Sequence, residues 1–362
     1  MKITINQKNL KQAINLTEKV VARNTALPIL NNILLKTENG RLKLSATNLE
    51  VGITALIGVK IDEVGEVAVP ARIFSDFISN ITDEKITLTT KNNTLTINSE
   101  HYKTQILGFD PKDFPIIPKI KTPVIATIPA KNLKKGLLTV LDSVAVSETR
   151  PELAGVFVQI KNNQATLAST DIFRLTETVV PFKNSESVSL ILPRNTITEL
   201  IRISGDLSGE LQIKYSDNQV SFSNDDFELV SRVVDGTFPD YKKVIPDKFL
   251  SRALIKKEEL EKNIRLAGLF SSHISDIKLM CGEQNLKIVA KNSDKGEIET
   301  VVPAVLKNDP FEVSLNYHYL LDGLKNMPTD DVIIEFTGAG SPLVIRPSND
   351  HKTVYLIMPL RS

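Results

Sequence analysis

The chain of 362 residues carries a formal net charge of +1, with 41% hydrophobic and 24% charged residues, as in ordinary globular proteins. A net charge so close to zero gives no global sign of nucleic-acid or membrane binding, so the charges have to be considered locally. The single cysteine, Cys281, excludes an intrachain disulfide and a cysteine-based metal site. The start MKITINQKNL lacks the apolar run of a signal peptide, and no apolar segment reaches the roughly 20 residues that span a bilayer, so we expect a cytoplasmic protein.

The chain begins with a short strand and an amphipathic helix, and this pair returns twice. After the strand ITI, the segment QKNLKQAINLTEKVVAR places Leu10 and Ile14 at helical spacing among lysines. PAKNLKKGLLTVLDSVA contains the counterpart, with Leu133 lying 123 residues after Leu10. KKEELEKNIRLAGLF supplies a third helix in which glutamates dilute the basic residues. The chain therefore consists of repeats.

A predicted β-hairpin, NNILLKTENGRLKLSATNLEVGI, follows the first helix. Apolar and polar residues alternate along both strands, and Asn39-Gly40 suits the positive φ angles of a two-residue turn. The pattern returns with Val156 and Ile277 lying 123 and 244 residues after Ile33. Repeats of about 120 residues have the size of single domains, so we expect three similar domains rather than one large core.

A second helix and further strands complete each repeat. The segments VPARIFSDFISNI, LPRNTITELIRIS and LNYHYLLDGLKNM are helical in pattern, and proline in the first two is well placed at a helix start. Strands with alternating polarity follow each of them. The expected fold class is α+β, with two helices and antiparallel sheets in each domain. Proline-rich connectors at Phe114 and Phe238 place the domains at residues 1–121, 122–246 and 247–362.

Residues that could carry catalysis form no recognisable motif. The sequence contains no Gly-rich phosphate loop, nucleophile elbow, His-x-x-x-His pair or acidic cluster at metal-ligand spacing. The four histidines are scattered, and adjacent acids such as Asp225-Asp226 border strands, where neighbouring side chains point to opposite faces. We therefore expect a protein without catalytic activity, metal or cofactor.

Recurring basic residues in the helices are the remaining functional signal. In a single helix such residues indicate only a solvated face. If three similar domains are arranged alike, however, their helices line one surface, whose lysines and arginines would meet phosphates together. Phosphate contacts carry no sequence information, so sequence-independent binding is predicted.

Several stretches resemble the bacterial DNA polymerase III beta subunit family, the replicative sliding clamps. They are TALPILNNILL with ATNLE, RPELAGV with ASTDIFRL, FPDYKKVIP and the terminal MPLR, and the likeness runs the full length of the chain. The resemblance implies a homodimer closed head to tail into a six-domain ring around duplex DNA. It also implies that the polymerase III alpha subunit, the clamp loader delta subunit, other polymerases and repair proteins bind through short peptides.

The resemblance further implies an apolar pocket for these peptides between the second and third domains. Aliphatic residues with a flexible methionine would adapt to several peptides. Phe173 stands where the family has histidine, which makes the wall more apolar, and Lys243 stands where it has arginine, which removes a bidentate donor. The expected pocket residues are Leu153, Thr170, Ile172, Phe173, Arg174, Leu175, Pro239, Lys243, Val244, Leu356, Ile357, Met358, Pro359 and Leu360.

Two further sets of residues follow from the resemblance. We expect the basic residues Lys8, Lys11, Arg23, Lys131, Lys134, Lys135, Arg150, Arg194, Arg202, Lys256 and Arg265 to contact DNA. At the seam, the contact between two copies in the ring, pairing of edge strands would satisfy their free backbone groups. The expected seam residues are Lys103, Ile106, Leu269, Phe270, Ile274, Glu297 and Glu299. Replacing Ile106 with glutamate is expected to give monomers.

Two alternatives to the clamp function come from other classes of protein. One is an α+β enzyme built on repeats, with its site at a domain boundary. The other is a scaffold that binds peptides but never encircles DNA. The absence of a catalytic motif argues against the first, and the second would gain support if replacing the basic residues of the helices left every activity intact.

Overall fold

The structure, a computed structural model, describes residues 1–21, 26–147, 149–207 and 209–360. Among the residues predicted to contact DNA, Arg23 lies outside these ranges.

The N-terminal repeat has the predicted order of a strand and a helix, then strands, a second helix and closing strands. Its first helix starts after Asn6, whose Oδ1 accepts a hydrogen bond from the Lys8 N–H at 2.9 Å. Residues 18–21 form turns, so this helix is shorter than predicted. The elements are β1 (Lys2–Asn6), α1 (Gln7–Thr17), β2 (Asn32–Glu38), β3 (Arg41–Thr47), β4 (Val51–Gly58), β5 (Lys60–Glu63), β6 (Glu66–Pro70), α2 (Ala71–Asn80), β7 (Lys85–Lys91), β8 (Thr94–Asn98) and β9 (Lys103–Leu107).

The central repeat follows the same order. Short 3-10 turns at Pro151–Leu153 and Tyr241–Val244 lie before its hairpin and in the connector after it. Its elements are β10 (Ala126–Pro129), α3 (Ala130–Leu141), β11 (Gly155–Lys161), β12 (Gln164–Thr170), β13 (Arg174–Pro181), β14 (Lys183–Asn184), β15 (Val188–Pro193), α4 (Arg194–Asp206), β16 (Glu210–Ser216), β17 (Gln219–Ser223) and β18 (Phe227–Arg232).

The C-terminal repeat differs in having one long strand, β22, where the others have two strands. Its elements are β19 (Ser251–Lys256), α5 (Lys257–Gly268), β20 (Asp276–Cys281), β21 (Asn285–Asn292), β22 (Gly296–Lys307), β23 (Phe311–Asn316), α6 (Tyr317–Lys325), β24 (Asp331–Phe336), β25 (Leu343–Pro347) and β26 (Thr353–Ile357). All three repeats therefore combine two helices with antiparallel strands, as the α+β prediction states.

The predicted hairpin turns have the backbone conformation that their residues favour. Asn39 and Gly40 adopt φ values of 50° and 76°, and Glu38 pairs with Arg41 across a two-residue loop. The central repeat uses two asparagines at residues 162 and 163 in the same way, with φ values of 54° and 57°. Asparagine tolerates this left-handed region better than most residues, so the register of these hairpins is fixed locally.

Within the described residues, the strands form three antiparallel sheets in two compact units. The first unit, Met1–Lys131 with Lys183–Glu186 and Thr198–Val233, contains a five-stranded sheet (β5-β1-β7-β8-β9) and a nine-stranded sheet (β14-β10-β16-β17-β18-β4-β3-β2-β6). The second unit contains a twelve-stranded sheet, β15-β11-β12-β13-β26-β25-β24-β19-β22-β21-β20-β23. Strands of different repeats pair within a unit, β4 with β18 in the first and β13 with β26 in the second.

Helices α5 and α6 cover one part of the twelve-stranded sheet. Leu260 of α5 and Leu320 and Leu324 of α6 are buried in one core with strand residues such as Tyr355. Each such leucine contributes roughly 1.5–3 kcal/mol by leaving water. The apolar face of the helices thus determines where they lie.

Cys281 is buried in the same core. Burial raises the pKa of its thiol to about 11. Within the described part of the chain, no group of acids, histidines or cysteines could hold a metal ion, and no helix is long and apolar enough to cross a membrane.

Candidate functional site

The turn between β12 and β13 forms the first wall of the predicted pocket. The Thr170 hydroxyl donates to the Arg174 carbonyl at 2.7 Å and accepts from the Ile172 N–H at 3.1 Å. Asp171 Oδ1 accepts from the N–H groups of Phe173 and Arg174 at 3.1 and 3.0 Å. These bonds hold Ile172 at a φ of 73°, which is strained for a β-branched residue. The side chains of Ile172 and Phe173 are left 57% and 54% exposed, so the turn presents apolar surface to solvent.

The guanidinium of Arg174 makes its contacts within the chain. Its Nε donates to Asp171 Oδ2 at 2.9 Å, and its Nη1 donates to the carboxylate of Asp322 in α6. The guanidinium also lies 4.6 Å from the centroid of the Tyr319 ring, on which Phe173 stacks at 6.5 Å between centroids. Arg174 therefore fixes the turn against α6, and its guanidinium is already occupied.

Buried aliphatic side chains form the floor of the pocket. Leu153, Leu175 and Leu356 belong to one buried cluster with Phe238 and Tyr241. Strands β13 and β26 pair so that Leu175 lies directly opposite Leu356. The floor is therefore made by two repeats whose strands are hydrogen-bonded to each other.

The segment that follows β26 supplies the second wall. The Met358 N–H donates to the Phe173 carbonyl at 2.8 Å, which holds the two walls together. Met358 is exposed, and Pro359 and Leu360 are half-buried, so all three can contact a ligand. Ile357 differs from them because it is fully buried in the core beneath α5 and α6. Ile357 therefore does not face the predicted pocket, and it supports the pocket only from within the core.

The connector supplies the remaining predicted residues. The Pro239 carbonyl accepts a hydrogen bond from the Tyr241 N–H at 2.7 Å. Tyr241 is the first residue of the 3-10 turn that carries Lys243 and Val244. Val244 is exposed, and Lys243 lies 2.9 Å from Asp240 in an exposed ion pair. The hydrogen bond to Asp240 raises the pKa of Lys243.

A buried carboxylate, Glu177 of β13, anchors this connector. It accepts a hydrogen bond from the Tyr241 hydroxyl and pairs with the ammonium of Lys242. Burial and the bond to Glu177 raise the pKa of Tyr241. The Phe157 ring stacks on Phe238 at 5.2 Å between centroids and packs the other side of the connector. The 3-10 turn is thus held by a buried polar contact and by aromatic packing.

Most of the predicted DNA-contacting residues are accessible. Lys11 is half-buried, with its Nζ donating to the Ser79 carbonyl at 3.3 Å, and Lys134 is also half-buried. The exposed residues are Lys8, Lys131, Lys135, Arg150, Lys256 and Arg265.

Two predicted DNA contacts, Arg194 and Arg202, instead bind carbonyl groups at helix ends. Arg202 donates to the carbonyls of Asn15 and Leu16 at 2.7 and 2.8 Å, at the C-terminal end of α1. Arg194 donates to the carbonyls of residues 141 and 144 at 3.5 and 3.2 Å, at the end of α3. Such carbonyls lack partners within their own helix and carry partial negative charge. These guanidinium groups therefore stabilise the helices that carry the lysines.

Most of the predicted seam residues are exposed, but Ile106 is buried. Ile106 is only 5% exposed because it lies opposite Leu95 within the five-stranded sheet, whereas its neighbour Leu107 is 77% exposed. Glu297 and Glu299 pair with lysines of their own chain at 3.2 and 2.9 Å. Lys103, Leu269 and Ile274 are exposed and Phe270 is half-buried. Ile106 cannot present its side chain to a second copy, whereas Leu107 is an exposed apolar residue of β9 that can.

Models of three domains of one protein family match the chain in order. The DNA polymerase III beta subunit N-terminal domain matches residues 1–118, the central domain residues 127–240, and the C-terminal domain residues 242–361. The chain belongs to the DNA polymerase III beta subunit family. As a sliding clamp of this family it is a processivity subunit of the polymerase and not an enzyme.

Relatives of the clamp family match over the whole chain. The beta sliding clamps of Staphylococcus epidermidis and Staphylococcus aureus are each 29% identical over 378 residues, covering 100% of both chains. Crystal structures of the beta subunit from Thermotoga maritima and of the sliding clamp from Bacillus subtilis have TM-scores of 0.94 and 0.96 at 26% and 25% identity, covering 100% of this chain and 99% of theirs. A sliding clamp from Bartonella birtlesii, 27% identical with a TM-score of 0.92 and 100% coverage of both chains, was solved bound to griselimycin. The prediction of a clamp with three similar α+β domains is confirmed.

Sequence analysis missed the residues that support the clamp's pocket from behind. Asp322 and Tyr319 of α6 contact Arg174, and Glu177 contacts Tyr241. Arg174 and Asp322 are 148 residues apart in the chain, so no local spacing connects them. The sequence shows only that an arginine lies within a largely apolar turn. Such an arginine requires a carboxylate partner, but the sequence does not identify that partner.

Proposed function

We propose that two copies of this clamp close head to tail into a six-domain ring around duplex DNA. Residues 1–121, 122–246 and 247–362 are the three domains that each copy contributes. The family match across the full length of the chain is the observation that carries the proposal. A closed ring holds DNA by topology, so its contacts with the duplex can stay weak, as sliding requires.

The contacts with DNA are phosphate contacts from basic side chains on repeated helices. Lys8 on α1 and Lys131 on α3 are exposed at the same position of their helices, and Lys135 on α3 and Arg265 on α5 are exposed elsewhere on the first helices of their repeats, which supports this assignment. Lysines and arginines that bind phosphates release counterions, so the logarithm of the binding constant should fall with the logarithm of the salt concentration by a slope of about −0.9 per phosphate contacted in B-DNA, for any base sequence.

The apolar pocket takes short peptides from partners in the cytoplasm. The proposed partners are the alpha subunit of DNA polymerase III, the clamp loader delta subunit, other polymerases and repair proteins. The exposed Ile172, Phe173 and Met358 beside a buried aliphatic floor support this role. Phe173 has no hydrogen-bonding side chain, so an apolar or aromatic peptide residue fits there better than a polar one.

The proposed ring is tested by measuring whether the protein is retained on circular DNA. The clamp is loaded onto nicked circular DNA by its loader with ATP, and retention is measured before and after a single cut makes the circle linear. Retention on the circle with release from the linear form is expected, because only a closed ring depends on closed DNA. Equal retention on both forms would mean ordinary adhesion and would favour a peptide-binding scaffold.

The mass of the protein in solution shows how a third result, retention on neither DNA form, is to be interpreted. If neither DNA form retains the protein, a dimer mass in the same preparation assigns the failure to loading. A monomer mass at that concentration would contradict the ring itself.

A further inference from the structure

The turn between β3 and β4 repeats the hydrogen bonds of the pocket turn between β12 and β13. The Thr47 hydroxyl donates to the Val51 carbonyl at 3.0 Å and accepts from the Leu49 N–H at 3.0 Å. Asn48 Oδ1 accepts from the N–H groups of Glu50 and Val51 at 3.0 and 2.8 Å. These are the bonds that Thr170 and Asp171 make in the pocket. The same hydrogen-bonded turn therefore occurs in the N-terminal repeat and in the central repeat.

The apolar residue at the tip of each turn is also presented alike. Leu49 has a φ of 76° and is 52% exposed, and Ile172 has a φ of 73° and is 57% exposed. Left-handed backbone is unfavourable for both side chains, and each is held there by its turn. Strain of this kind at two equivalent positions indicates a shared requirement for an exposed aliphatic side chain.

The strand beside each turn comes from the end of the following repeat. β4 pairs with β18 so that Val51 lies opposite Ser231 and Gly52 opposite Val230. β13 pairs with β26 in the same antiparallel manner at the pocket floor. Both turns therefore lie beside the last strand of the next repeat.

A connector with a Phe-Pro pair completes each arrangement. The connector at residues 115–118 lines a cavity of about 130 Å³ together with Leu49 and Val230. This volume far exceeds the about 10–15 Å³ that one water needs. Ile116 at its edge is 93% exposed, and a Cβ on Gly52 would lie 2.8 Å from Ile117 Cγ2. Gly52, which occupies the place of Leu175, thus makes room for Ile117 while the cavity stays open.

The charges around the groove indicate the chemistry of its ligand. Arg232 lines the cavity, and the exposed Lys119 and Lys121 lie one and three residues after Pro118 in the connector. Glu50 is the acid among the lining residues. An apolar groove with this excess of positive charge matches a peptide that carries acidic residues beside its apolar anchor.

We propose that this groove, formed by Leu49, Gly52, residues 115–118 and Val230, is a second docking site for short extended peptides. Its ligands carry an aliphatic or aromatic anchor flanked by acidic residues. The inference takes the pocket of the proposed function as its template. A clamp with two such grooves on each chain could hold two partners at once.

Matched substitutions in the two turns test the second site. The probe is a fluorescent acetylated pentapeptide of alternating aspartate and leucine that ends in phenylalanine, titrated into the full chain. Ile172→Asp blocks the pocket and Leu49→Asp blocks the groove, because the new carboxylate repels the acidic probe. Aspartate tolerates the left-handed backbone of both positions, so the fold is retained.

We expect two equivalents of probe per chain for the unsubstituted protein, one for either single variant and none for the double variant. Val64→Asp, a change at an exposed loop position of the same unit, is the control and should leave both equivalents. A lysine-containing version of the probe should bind the groove at least about tenfold more weakly.

Two results would overturn the second site. The first is loss of all binding in Ile172→Asp, and the second is binding to Ile172→Asp that persists after Leu49→Asp is added. If Ile172→Asp has no effect while Leu49→Asp removes all binding, the pocket of the proposed function fails and the groove stands. The two proposals can therefore fail separately.

Discussion

The contact between Glu177 and Tyr241 decides how firmly the connector side of the pocket is held. The buried carboxylate accepts from the Tyr241 hydroxyl and also pairs with Lys242, which is more than half exposed. Of the two bonds, the one to the buried hydroxyl matters more, because an unsatisfied buried group costs about 1–3 kcal/mol whereas exposed ion pairs contribute about 0–1.

Glu177→Leu should therefore lower the free energy of unfolding by about 1–3 kcal/mol and weaken peptide binding to the pocket. Lys242→Gln removes only the exposed partner and should change stability by at most about 1 kcal/mol. Urea unfolding and peptide titration of both variants measure these effects. Equal losses in the two variants would show that the hydroxyl contact contributes nothing.

A second pair, Asp83 and His101, makes stability depend on pH. The His101 N–H and ring Nδ1 each lie 2.8 Å from the Asp83 carboxylate. Hydrogen bonds from Ser99 and His101 lower the pKa of Asp83 to about 2, and the bond to Asp83 raises the pKa of His101. Asp83 therefore stabilises the fold above its unfolded pKa of about 3.9, and this contribution is lost as pH falls towards 2.

His101 acts in the opposite direction. Its contribution is complete below the unfolded pKa of about 6.5 and is lost as pH rises through the higher folded value. An NMR titration of the His101 ring should give a pKa above 6.5, and Asp83→Asn should return it towards 6.5. An unchanged His101 pKa in Asp83→Asn would contradict the pairing.

At the scale of elements, α6 contains a glycine where helix propensity alone would favour alanine. Gly323 faces the ring of Tyr355, and the Tyr355 hydroxyl donates to the Tyr319 carbonyl at 2.8 Å. A Cβ on Gly323 would overlap that ring. The close approach of helix and strand therefore requires glycine, at a propensity cost of about 1 kcal/mol.

Gly323→Ala should destabilise the chain by about 1–3 kcal/mol in spite of the better propensity of alanine. Gly58→Ala is the matched control, because nothing lies within 4 Å of its new Cβ, and it should change stability by less than about 0.5 kcal/mol. Thermal unfolding compares the two. A stabilised Gly323→Ala variant would mean that α6 moves freely away from Tyr355.

Elements with strong local signals were predicted well, and contacts between distant elements were not. Asn39-Gly40 determines its own turn, and Leu10 and Ile14 are buried where helical spacing places them. The face of a short strand is harder to assign. Ile106 is buried because β9 pairs with β8 so that Ile106 lies opposite Leu95, and this pairing depends on the whole sheet.

At the scale of the molecule, the three sequence repeats and the two compact units do not coincide. Strands β16, β17 and β18 of the central repeat belong to the nine-stranded sheet of the first unit, and β11, β12 and β13 to the twelve-stranded sheet of the second. Sequence periodicity reveals repeats, but hydrogen bonds between repeats follow from the fold. The floor of the proposed pocket at β13 and β26 and the proposed groove at β4 and β18 both lie at such junctions.

In the proposed ring, we expect the seam to lie at β9, the last strand of the five-stranded sheet. An edge strand offers unpaired backbone groups to a second copy, and Leu107 adds an exposed apolar side chain. Leu107→Glu should convert the dimer to monomers that remain folded, because Leu107 is exposed within its own chain and substitutions at such positions usually alter the stability of the chain itself by less than about 0.5 kcal/mol. Light scattering measures the mass and thermal unfolding measures the stability.

Ile106→Glu should behave differently. It places a carboxylate inside the five-stranded sheet, where an unpaired charge costs several kcal/mol, so the melting temperature should fall sharply. A monomer mass for that variant would report damage to the sheet and not the position of the seam. Leu107→Ala, which keeps an uncharged side chain at the same place, separates loss of contact from repulsion. A dimer mass for Leu107→Glu at low concentration would mean that the seam does not lie at β9.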